Sequence, residues 1–516
     1  YVFVGDGCLM EGISHEVCSL AGTLGLNKLI VIYDMNNISI DGDTSLAFTE
    51  NIKKRFDAYG WNIIDNVDGH DHKSIEQSIS RAKRETSKPT IICMKTIIGF
   101  GSPNKKGTSG VHGAPLGEYE AKLTRENLGW NHKPFYIPKY IYDEWDAKKF
   151  GMSLEKKWIE KFKSYKLAYP KFYSELNRRL KNTLPSNLSK KIDDLIENND
   201  KSMATRKSSQ VVLENIGPLL PELIGGSADL KESNLVFWPE SMPFSKKNKS
   251  GKYIHYGVRE FGMFAINNGI YLHGGFRPYG STFLIFSEYA KNAIRMSALM
   301  HLPTISVFTH DSIGLGEDGP THQPVEQLNG LREIPNLNIF RPADINETLE
   351  CWEIALKSKN MPSVIALSRQ NLPYINPNFE EINKCEKGAY ALKINSHDNK
   401  VTLVASGSEV ELALDVQSAL KEVNINSKVI SMPCQELFNK QPGNYKKDIL
   451  DSETLIVTIE AGGVSSWEKI SGEKGISLGI NNFGESAPYK KIYDHFNLTV
   501  EKIVSVIQNN LRNKQD

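Results

Sequence analysis

The chain has 516 residues, of which 40% are hydrophobic and 24% are charged, the balance of an ordinary soluble globular protein with roughly three or four domains. Its 62 lysines and arginines nearly cancel its 61 aspartates and glutamates, so the formal net charge is +1. This balance argues against nucleic acid or a membrane surface as the main partner, because either partner normally requires a basic excess.

The six cysteines contain no C-x-x-C pair, so the sequence predicts neither a structural zinc site nor a disulfide framework. They are Cys8, Cys18, Cys93, Cys351, Cys385 and Cys434. A large chain with few unpaired cysteines is typical of a reducing compartment, which predicts a cytoplasmic protein. We expect no membrane partner and no signal peptide, because no apolar run approaches the ~20 residues that span a bilayer.

The chain begins with Tyr1 rather than with methionine, inside the apolar segment 1–4, which has the composition of a buried strand. A domain seldom begins on its own central strand. We therefore expect an N-terminal segment of this domain to be missing from the sequence.

Strand-like and helix-like segments alternate over the first hundred residues. The predicted strands are 1–4, 28–33, 61–67 and 89–98, and the predicted helices are 13–26 and 72–86. Strands separated by helix-length segments predict a parallel, doubly wound sheet. Residues 99–117 are rich in glycine, proline, lysine and serine and are predicted to form a long functional loop, followed by a charged helical region at 140–200.

Two further α/β units are expected after this region. Predicted strands lie near 223–225, 254–258, 304–309, 338–340 and 363–367, and then at 401–405, 428–432 and 454–459, with a last helix near 500–511. The fold class is therefore α/β, with three doubly wound domains. Their predicted boundaries are residues 1–195, 196–380 and 381–516.

A glycine-flanked aspartate, Asp6 in Gly5-Asp6-Gly7, follows the first strand, and Asn36 follows the next. In a parallel sheet both turns emerge at the carboxyl edge, where ligands bind. A carboxylate and an amide oxygen there suit Mg²⁺, which also retains phosphate oxygens, and glycines let the backbone approach a diphosphate. Gly-Asp-Gly alone more often forms an ordinary turn, but the strand–turn–helix–strand context favours a metal site.

Residues 5–12 and Asn36 resemble the thiamin diphosphate signature, and in detail that of the transketolase family. The resemblance continues in order through segments 99–105, 112–117, 225–230 and 256–263, the long block THDSIGLGEDGPTHQP at 309–324, and segment 368–371. It implies two cofactor-binding-like domains, a C-terminal α/β domain, and a requirement for thiamin diphosphate with Mg²⁺, or with Ca²⁺ or Mn²⁺ in its place.

The resemblance also implies which residues bind the diphosphate half of the cofactor. Asp6, Asn36 and the backbone carbonyl of Ile38 would bind the metal, and Gly7 would lie against the diphosphate. His112 would contact both cofactor and substrate. Glu11 and Glu16 would join a carboxylate network between the two active sites of a dimer, although Glu16 alone would equally suit a solvated helix face.

Glu260 is implied as the carboxylate that hydrogen-bonds the aminopyrimidine ring, where proton exchange activates the thiazolium C2. The same glutamate would also suit the N-terminus of a helix. Phe286 would pack against the pyrimidine. It shares an i, i+3, i+6 helical stripe with Phe283 and Tyr289, a pattern that more often marks plain core.

Several further positions match the family's contacts to a phosphorylated sugar. Arginine suits phosphate by its geometry, and histidine serves as acid or base near neutral pH. Each position alone would more often be a surface or structural residue, but their joint presence in the family's motifs favours substrate binding. The set is Arg206, Ser233, His310 and Arg369 for the phosphate, His112, His310 and His322 for proton transfer and hydroxyls, and Asp318 for stereochemical selection.

The activity implied is the reversible transfer of a two-carbon ketol unit in the pentose phosphate pathway. The donor would be a ketose phosphate such as xylulose 5-phosphate, and the acceptor ribose 5-phosphate or erythrose 4-phosphate. Glu260, His112 and His322 would be the catalytic residues. The family implies a homodimer with active sites at the subunit interface.

Two alternatives remain open from the sequence. The chain could be another thiamin diphosphate carboligase, such as dihydroxyacetone synthase, a deoxyxylulose phosphate synthase or an E1-type dehydrogenase subunit. It could also be a non-catalytic or poorly active fragment, with weak cofactor binding and little turnover if the molecule starts at Tyr1.

Overall fold

A computed structural model describes residues 1–375, 384–394 and 398–513 of the chain. They form two compact units, Tyr1–Asn177 with Ser245–Lys249 and Arg178–Phe244 with Ser250–Asp516. The boundary predicted between residues 380 and 381 lies outside the described residues, and the boundary between residues 195 and 196 stays a prediction.

The first unit is built on a parallel sheet with the strand order β1-β2-β6-β5, and a short antiparallel hairpin, β3-β4, follows β2. The strands are β1 (Val2–Gly5), β2 (Ile30–Met35), β3 (Ile38–Ser39), β4 (Gly42–Asp43), β5 (Asn62–Asp68) and β6 (Thr90–Lys95). The centre of β6 is continuously apolar, because a parallel sheet is buried on both faces. Ile91 and Ile92 are accordingly fully buried.

The helices between and after these strands are α1 (Asp6–Met10), α2 (Gly12–Leu24), α3 (Ile52–Ala58), α4 (His72–Lys83), α5 (Glu118–Asn127), α6 (Lys139–Trp145), α7 (Lys148–Ala168) and α8 (Pro170–Leu180). Local chemistry sets their ends. The Asp71 carboxylate accepts hydrogen bonds from the amides of Lys73 and Ser74 and so caps α4. Gly25 ends α2 in the left-handed conformation, with φ 59°.

The second unit contains two sheets, of which the first is fully parallel with the order β11-β12-β10-β9-β7-β8. Its strands are β7 (Leu223–Ser227), β8 (Tyr253–His255), β9 (Arg277–Phe283), β10 (Ile305–Thr309), β11 (Asn338–Phe340) and β12 (Ser363–Leu367). Its helices are α9 (Leu188–Glu197), α10 (Thr205–Ile216), α11 (Lys231–Asn234), α12 (Glu260–His273), α13 (Ser287–Leu299), α14 (Gln327–Arg332) and α15 (Ile345–Lys357). The registers place Phe283 and Leu367 opposite Thr309, so three strand ends meet at one edge.

The carboxy-terminal sheet has the order β13-β15-β14-β16-β17 and is parallel except at β13. Its strands are β13 (Tyr390–Ile394), β14 (Val401–Ala405), β15 (Ser427–Ser431), β16 (Leu455–Ile459) and β17 (Ile476–Leu478). Its helices are α16 (Glu409–Glu422), α17 (Gln435–Asn439), α18 (Gly443–Ile449), α19 (Ser465–Ser471), α20 (Tyr489–His495) and α21 (Val500–Asn513). None of the described helices is both long and apolar enough to span a lipid bilayer.

Short 3-10 turns complete the described structure at Thr44–Leu46, Ser109–Val111, Gly217–Leu219, Leu284–Phe286, Ile313–Leu315 and Lys384–Lys387. The predicted α/β fold class with three helix-connected sheets is confirmed, and the sheets are parallel except for the short hairpin β3-β4 and the edge strand β13. The strand β9 is not predicted from the sequence, because Arg277, Pro278 and Gly280 interrupt its apolar pattern. It is nevertheless wholly buried between β7 and β10.

The predicted helical stripe of Phe283, Phe286 and Tyr289 is wrong. Phe283 is the last residue of β9, Phe286 ends a 3-10 turn, and Tyr289 lies on α13. Three residues with helical spacing therefore belong to three different elements, because the strand continues to Phe283 before the chain turns.

Candidate functional site

The predicted metal ligands lie at the carboxyl ends of β1 and β2, which pair with Gly5 opposite Asp34. Asp6 opens α1 and is only 4% exposed. The Tyr33 hydroxyl donates to its Oδ1, and the Asn37 amide donates to its Oδ2 at 3.1 Å. Burial and the bond to Asp6 raise the pKa of Tyr33, which therefore stays a neutral donor. Tyr33 was not selected from the sequence because it resembles an ordinary core tyrosine.

The turn after β2 brings the other two predicted ligands to the same carboxylate. Asn37 adopts the left-handed region with φ 59°, and its backbone amide binds Asp6. Asn36 and Ile38 flank it, and Asn36 Oδ1 accepts a hydrogen bond from the Ile38 amide at 3.0 Å. The structure therefore gathers one carboxylate, one side-chain amide and one backbone segment at this edge of the sheet.

These residues fit a divalent cation that bridges a diphosphate. A buried carboxylate is costly unless it is paired or binds a metal, and in the described part of the chain no cationic side chain pairs with Asp6. A side chain added at Gly5 or Gly7 would meet no protein atom within 4 Å, so packing does not explain these glycines. No cluster of three or more acidic, histidine or cysteine ligands occurs among the described residues, which is consistent with a metal that takes phosphate oxygens as well.

A cavity of about 330 Å³ opens beside Asp6. Its lining also includes Tyr33, Asn37, Thr44 and Asn51. This volume falls in the range of small-molecule sites, roughly 300–1,000 Å³. Of the metal candidates, Asp6 thus faces a space that a bound group could enter.

His112 lies in the long loop that the sequence predicted, just after the turn Ser109–Val111. Its imidazole is exposed and makes no hydrogen bond or ring contact with any residue that the structure describes. The loop is nonetheless ordered, because the Glu120 carboxylate accepts bonds from Asn104 at 2.8 and 2.9 Å and from the Ser102 hydroxyl. The structure does not join His112 to the Asp6 cluster.

In the second unit, a pair of buried hydroxyls joins the end of β12 to the start of α10. Ser368 N donates to Thr205 Oγ1 at 2.8 Å, and Thr205 N donates to Ser368 Oγ at 3.0 Å. Both residues are at most 1% exposed. Their neighbours, Arg206 and Arg369, are therefore held close enough for Arg369 to contribute to lowering the pKa of Arg206, after burial.

Arg206 connects this junction to Ser233 through a bond from Nη1 to the Ser233 carbonyl at 2.6 Å. Its Nε is buried and has no hydrogen-bond partner among the described residues. Two guanidinium groups near enough to repel each other, one of them with an unused donor, make a site suited to an anion. The structure thus brings together three of the predicted phosphate contacts, Arg206, Ser233 and Arg369.

His310 lies next to these arginines, in the left-handed conformation at the end of β10, with φ 58°. Thr309 Oγ1 donates to Asn234 Oδ1 at 2.7 Å, so its contact of 2.8 Å with His310 Nδ1 requires the hydrogen to be on Nδ1. Burial, and then the charges of Arg206 and Arg369, lower the pKa of His310 to about 3. The imidazole is therefore neutral near pH 7, with Nε2 as an acceptor.

An aromatic surface continues from His310 through Phe283 to Phe286 and His322. The Phe283 ring stacks on His310 with centroids 3.7 Å apart, and it lies nearly parallel to Phe286 at 6.0 Å. The edge-to-face contact between Phe286 and His322 spans 5.7 Å. These four rings form one continuous surface beside the arginines.

Asp318 and Glu260 occupy two other places in the same unit. Asp318 is exposed on a turn between Gly316 and Gly319, whose φ values are 91° and 79°. Glu260 is the first residue of α12 and is 7% exposed, at a helix end that favours a carboxylate. Glu16, in the first unit, is also 7% exposed, so its interpretation as a solvated helix residue is wrong.

Three family models match the chain in succession. "Transketolase, thiamine diphosphate binding domain" matches residues 1–185, "Transketolase, pyrimidine binding domain" matches 201–375, and "Transketolase-like TK C-terminal domain" matches 388–499. Transketolase 1 of Vibrio cholerae is 52% identical over 98% of this chain and 76% of its own length. Transketolase 1 of Escherichia coli is 49% identical, with coverages of 98% and 77%.

Solved structures agree with these sequence matches. A Pichia stipitis transketolase in complex with sedoheptulose 7-phosphate aligns with a TM-score of 0.95 and 41% identity, over 100% of this chain and 76% of that one. Transketolase from Leishmania mexicana aligns with a TM-score of 0.94 and the same identity and coverage.

Proposed function

The chain belongs to the transketolase family, and we propose on that basis that it transfers a two-carbon ketol unit from a ketose phosphate to an aldose phosphate. The predicted family, transferase class and thiamin diphosphate dependence are confirmed. The roles of individual residues, the preferred sugars and the place in the pentose phosphate pathway are our proposals.

The observation that carries the proposal is the convergence of Arg206 and Arg369 beside the neutral imidazole of His310. The two like charges repel each other, so a dianionic phosphate bound by both would relieve the repulsion and gain charge-assisted hydrogen bonds. A nearly neutral protein gains phosphate affinity only from such a local concentration of donors. We assign this cluster to the phosphate of the sugar.

The other substrate contacts follow from protonation and position. Because His310 carries its hydrogen on Nδ1, its Nε2 accepts a hydrogen bond from a sugar hydroxyl. His322 and His112 are assigned to proton transfer at the reacting carbonyl and hydroxyls, and exposed Asp318 is assigned to a sugar hydroxyl. Phe286 offers an apolar face to the pyrimidine ring.

Asp6, Asn36 and the Ile38 carbonyl would hold Mg²⁺ against the diphosphate, with Gly7 in close approach. When bound, the cofactor supplies the nucleophilic carbon and the electron sink that carbon–carbon cleavage requires. Glu260 would hold a proton on its carboxyl group opposite the aminopyrimidine nitrogen.

We further propose a cytoplasmic homodimer whose active sites lie at the subunit interface. All six cysteines are free thiols, which suits a reducing compartment. Exposed apolar side chains that suit a subunit contact occur on and beside α12 and α13: Leu272, Tyr289, Met296, Leu299 and Met300.

The test measures thiamin diphosphate binding in the presence of Mg²⁺ for the wild type and for Asp6→Ala. Loss of the buried carboxylate should weaken cofactor binding at least roughly tenfold. Asp57→Ala, which removes an exposed carboxylate of the same unit, should leave it unchanged. Undiminished binding by Asp6→Ala would contradict the metal assignment.

Turnover of xylulose 5-phosphate with ribose 5-phosphate by the cofactor-loaded wild type tests the reaction itself. Turnover only with formaldehyde or pyruvate would identify another carboligase, and cofactor binding without any turnover would favour a non-catalytic chain. Sedimentation of the same sample should give twice the chain mass of 57.9 kDa, and a monomer would contradict the dimer.

A further inference from the structure

Residues 313–323, the substrate loop, carry two of the proposed substrate contacts, Asp318 and His322. The loop's own backbone bonds are short-range turn contacts, such as those from the amides of His322 and Gln323 to the Gly319 carbonyl at 3.0 and 3.1 Å. Gly316 and Gly319 adopt left-handed conformations, and the loop's regular structure is limited to a single 3-10 turn at Ile313–Leu315. These bonds shape the turns within the loop, and contacts from outside the loop hold the turns against the rest of the unit.

Gln323 closes the loop on itself and fastens it to the domain of the carboxy-terminal sheet. It is 2% exposed, and its Nε2 donates to the Gly316 carbonyl at 2.8 Å and to the Glu485 carbonyl at 2.9 Å. One side-chain amide thus ties Gly316, seven residues earlier in the loop, to a segment more than 160 residues later in the chain. The close fit also requires glycine at position 484, where an added Cβ would lie 1.7 Å from Gln323 Oε1.

Residues near Glu485 make a second attachment. The Ser486 hydroxyl donates to the Glu317 carbonyl at 2.6 Å, directly before Asp318. A Cβ at Gly319 would lie 3.2 Å from the Ser486 Cβ, so this serine also packs against the turn. Ser486 binds a loop carbonyl, and the Gln323 side chain binds the Glu485 carbonyl outside the loop, so neither attachment uses the side chains of Asp318 and His322.

The domain of the carboxy-terminal sheet holds the segment before the loop as well. Arg341 Nε donates to Asp311 Oδ2 at 2.8 Å, and Arg341 Nη1 donates to the Ser406 carbonyl at 2.9 Å. The side chain of Ile313 belongs to the apolar core of that domain. The chain is therefore anchored to this domain just after His310 and again at Gln323.

We propose that Gln323 is a positioning residue, and that through it the carboxy-terminal domain sets the geometry of the substrate loop and hence the stereochemical selection by Asp318 and the position of His322. What the loop selects, a sugar phosphate, rests on the proposed function. How the loop is held rests on its hydrogen bonds and does not depend on that function. A displacement of about 1 Å in a positioning group costs up to ~100-fold in rate, so the attachment has a measurable effect on selectivity.

The experiment compares full-length Gln323→Ala and Ser486→Ala with Gln417→Ala. The control removes an equally buried glutamine whose Nε2 also donates to a backbone carbonyl, that of Ser427 at 2.8 Å, but far from the loop in sequence. Hydrogen–deuterium exchange should speed up at least tenfold for the amides of residues 316–323 in Gln323→Ala, and less in Ser486→Ala. Exchange in this loop should stay at the wild-type rate in Gln417→Ala.

Steady-state kinetics on the cofactor-loaded proteins give the second readout. The ratio of kcat/KM for two aldose phosphates epimeric at C2 should fall about tenfold in Gln323→Ala, while thiamin diphosphate affinity stays at the wild-type value. Unchanged loop exchange and an unchanged epimer ratio in both loop variants would overturn the proposal. If Gln323→Ala does not fold, Ser486→Ala decides, because it removes only an exposed hydroxyl.

The two readouts separate this inference from the proposed function. A wild type that binds cofactor but turns over no sugar phosphate would refute the proposed function, while the exchange rates would still decide whether Gln323 holds the loop. An active wild type with wild-type loop exchange in both variants would refute the inference alone.

Discussion

His310 shows how burial and neighbouring charges set the state of a single residue. Its ring is 4% exposed, stacks on Phe283 and lies near Arg206 and Arg369. Each of these surroundings disfavours the imidazolium form. A histidine that would ordinarily titrate near neutral pH is therefore held neutral and acts as a hydrogen-bond partner rather than as a cation.

This state predicts a specific acid sensitivity of the fold. The unfolded chain binds a proton at this histidine below its ordinary pKa of 6.5, whereas the folded chain does so only near pH 3. The folded state consequently loses stability as the pH falls through that window. His310→Gln should remove about 1–2 kcal/mol of this loss between pH 6.5 and pH 5, as measured by urea unfolding.

His72→Gln, which replaces an exposed histidine of α4, serves as the control and should follow the wild-type pH dependence. If His310→Gln and the wild type lose stability in parallel between pH 6.5 and pH 5, the imidazole is not shielded as the structure indicates.

At the scale of elements, the phosphate cluster depends on the junction between β12 and α10. Thr205 and Ser368 exchange hydrogen bonds at 2.8 and 3.0 Å although they lie 163 residues apart. Each residue directly precedes one of the arginines. The junction therefore offsets the repulsion between Arg206 and Arg369 when no anion is bound.

Thr205→Val keeps the shape of the side chain and removes its hydroxyl. The buried Ser368 amide then loses its partner, which should cost about 1–3 kcal/mol of unfolding free energy. The spacing of the arginines should relax, so kcat/KM should fall several-fold for a phosphorylated ketose and much less for an unphosphorylated one.

Thr402→Val is the matched control. Thr402 lies in the carboxy-terminal sheet, is fully buried, and forms a hydrogen bond of 2.6 Å between its hydroxyl and that of Thr454. It should cost comparable stability with no change in preference for the phosphorylated donor. If kcat/KM falls equally for the phosphorylated and the unphosphorylated ketose in Thr205→Val, the junction does not set the arginine spacing.

At the scale of the second unit, a buried ionic network joins its two sheets. Arg341 is fully buried and binds Asp311 near β10 and Glu409 at the start of α16. Glu460 lies beside it, and although burial alone would raise the pKa of Glu460, Arg332 and Arg341 lower it to about 2. Gly407 is required here, since a Cβ at that position would lie 2.7 Å from Arg341 Cγ.

Arg341→Met should destabilise the protein by about 3–5 kcal/mol at pH 7, because it leaves buried carboxylates without their cation. The difference in unfolding free energy between the variant and the wild type should shrink as the pH falls and the carboxylates bind protons. Denaturation at pH 7 and pH 4.5 measures this difference. Lys139→Met, which breaks an exposed ion pair with Asp143, should cost less than about 1 kcal/mol. Equal costs for both variants would contradict a network that links the sheets.

The sequence by itself determined the alternation of strands and helices, the parallel sheets and the candidate metal ligands. These features are local, because apolar runs, helix-length spacers and a Gly-Asp-Gly turn lie within short windows of the chain. The resemblance of ordered motifs to one family also needed no structure. Strands whose apolar pattern is interrupted, such as β9, were not predicted. Such a strand is buried by its neighbouring strands, and its own sequence does not show this.

Only the tertiary structure decided which of the candidate residues meet. It gathered Arg206, His310 and Arg369, left the imidazole of His112 without a partner among the described residues, and gave Gln323 its link to Glu485. It also separated the aromatic stripe into three elements. The physical reason is that burial, charge proximity and protonation depend on which strand ends and loops come together, and those partners lie far apart in the sequence.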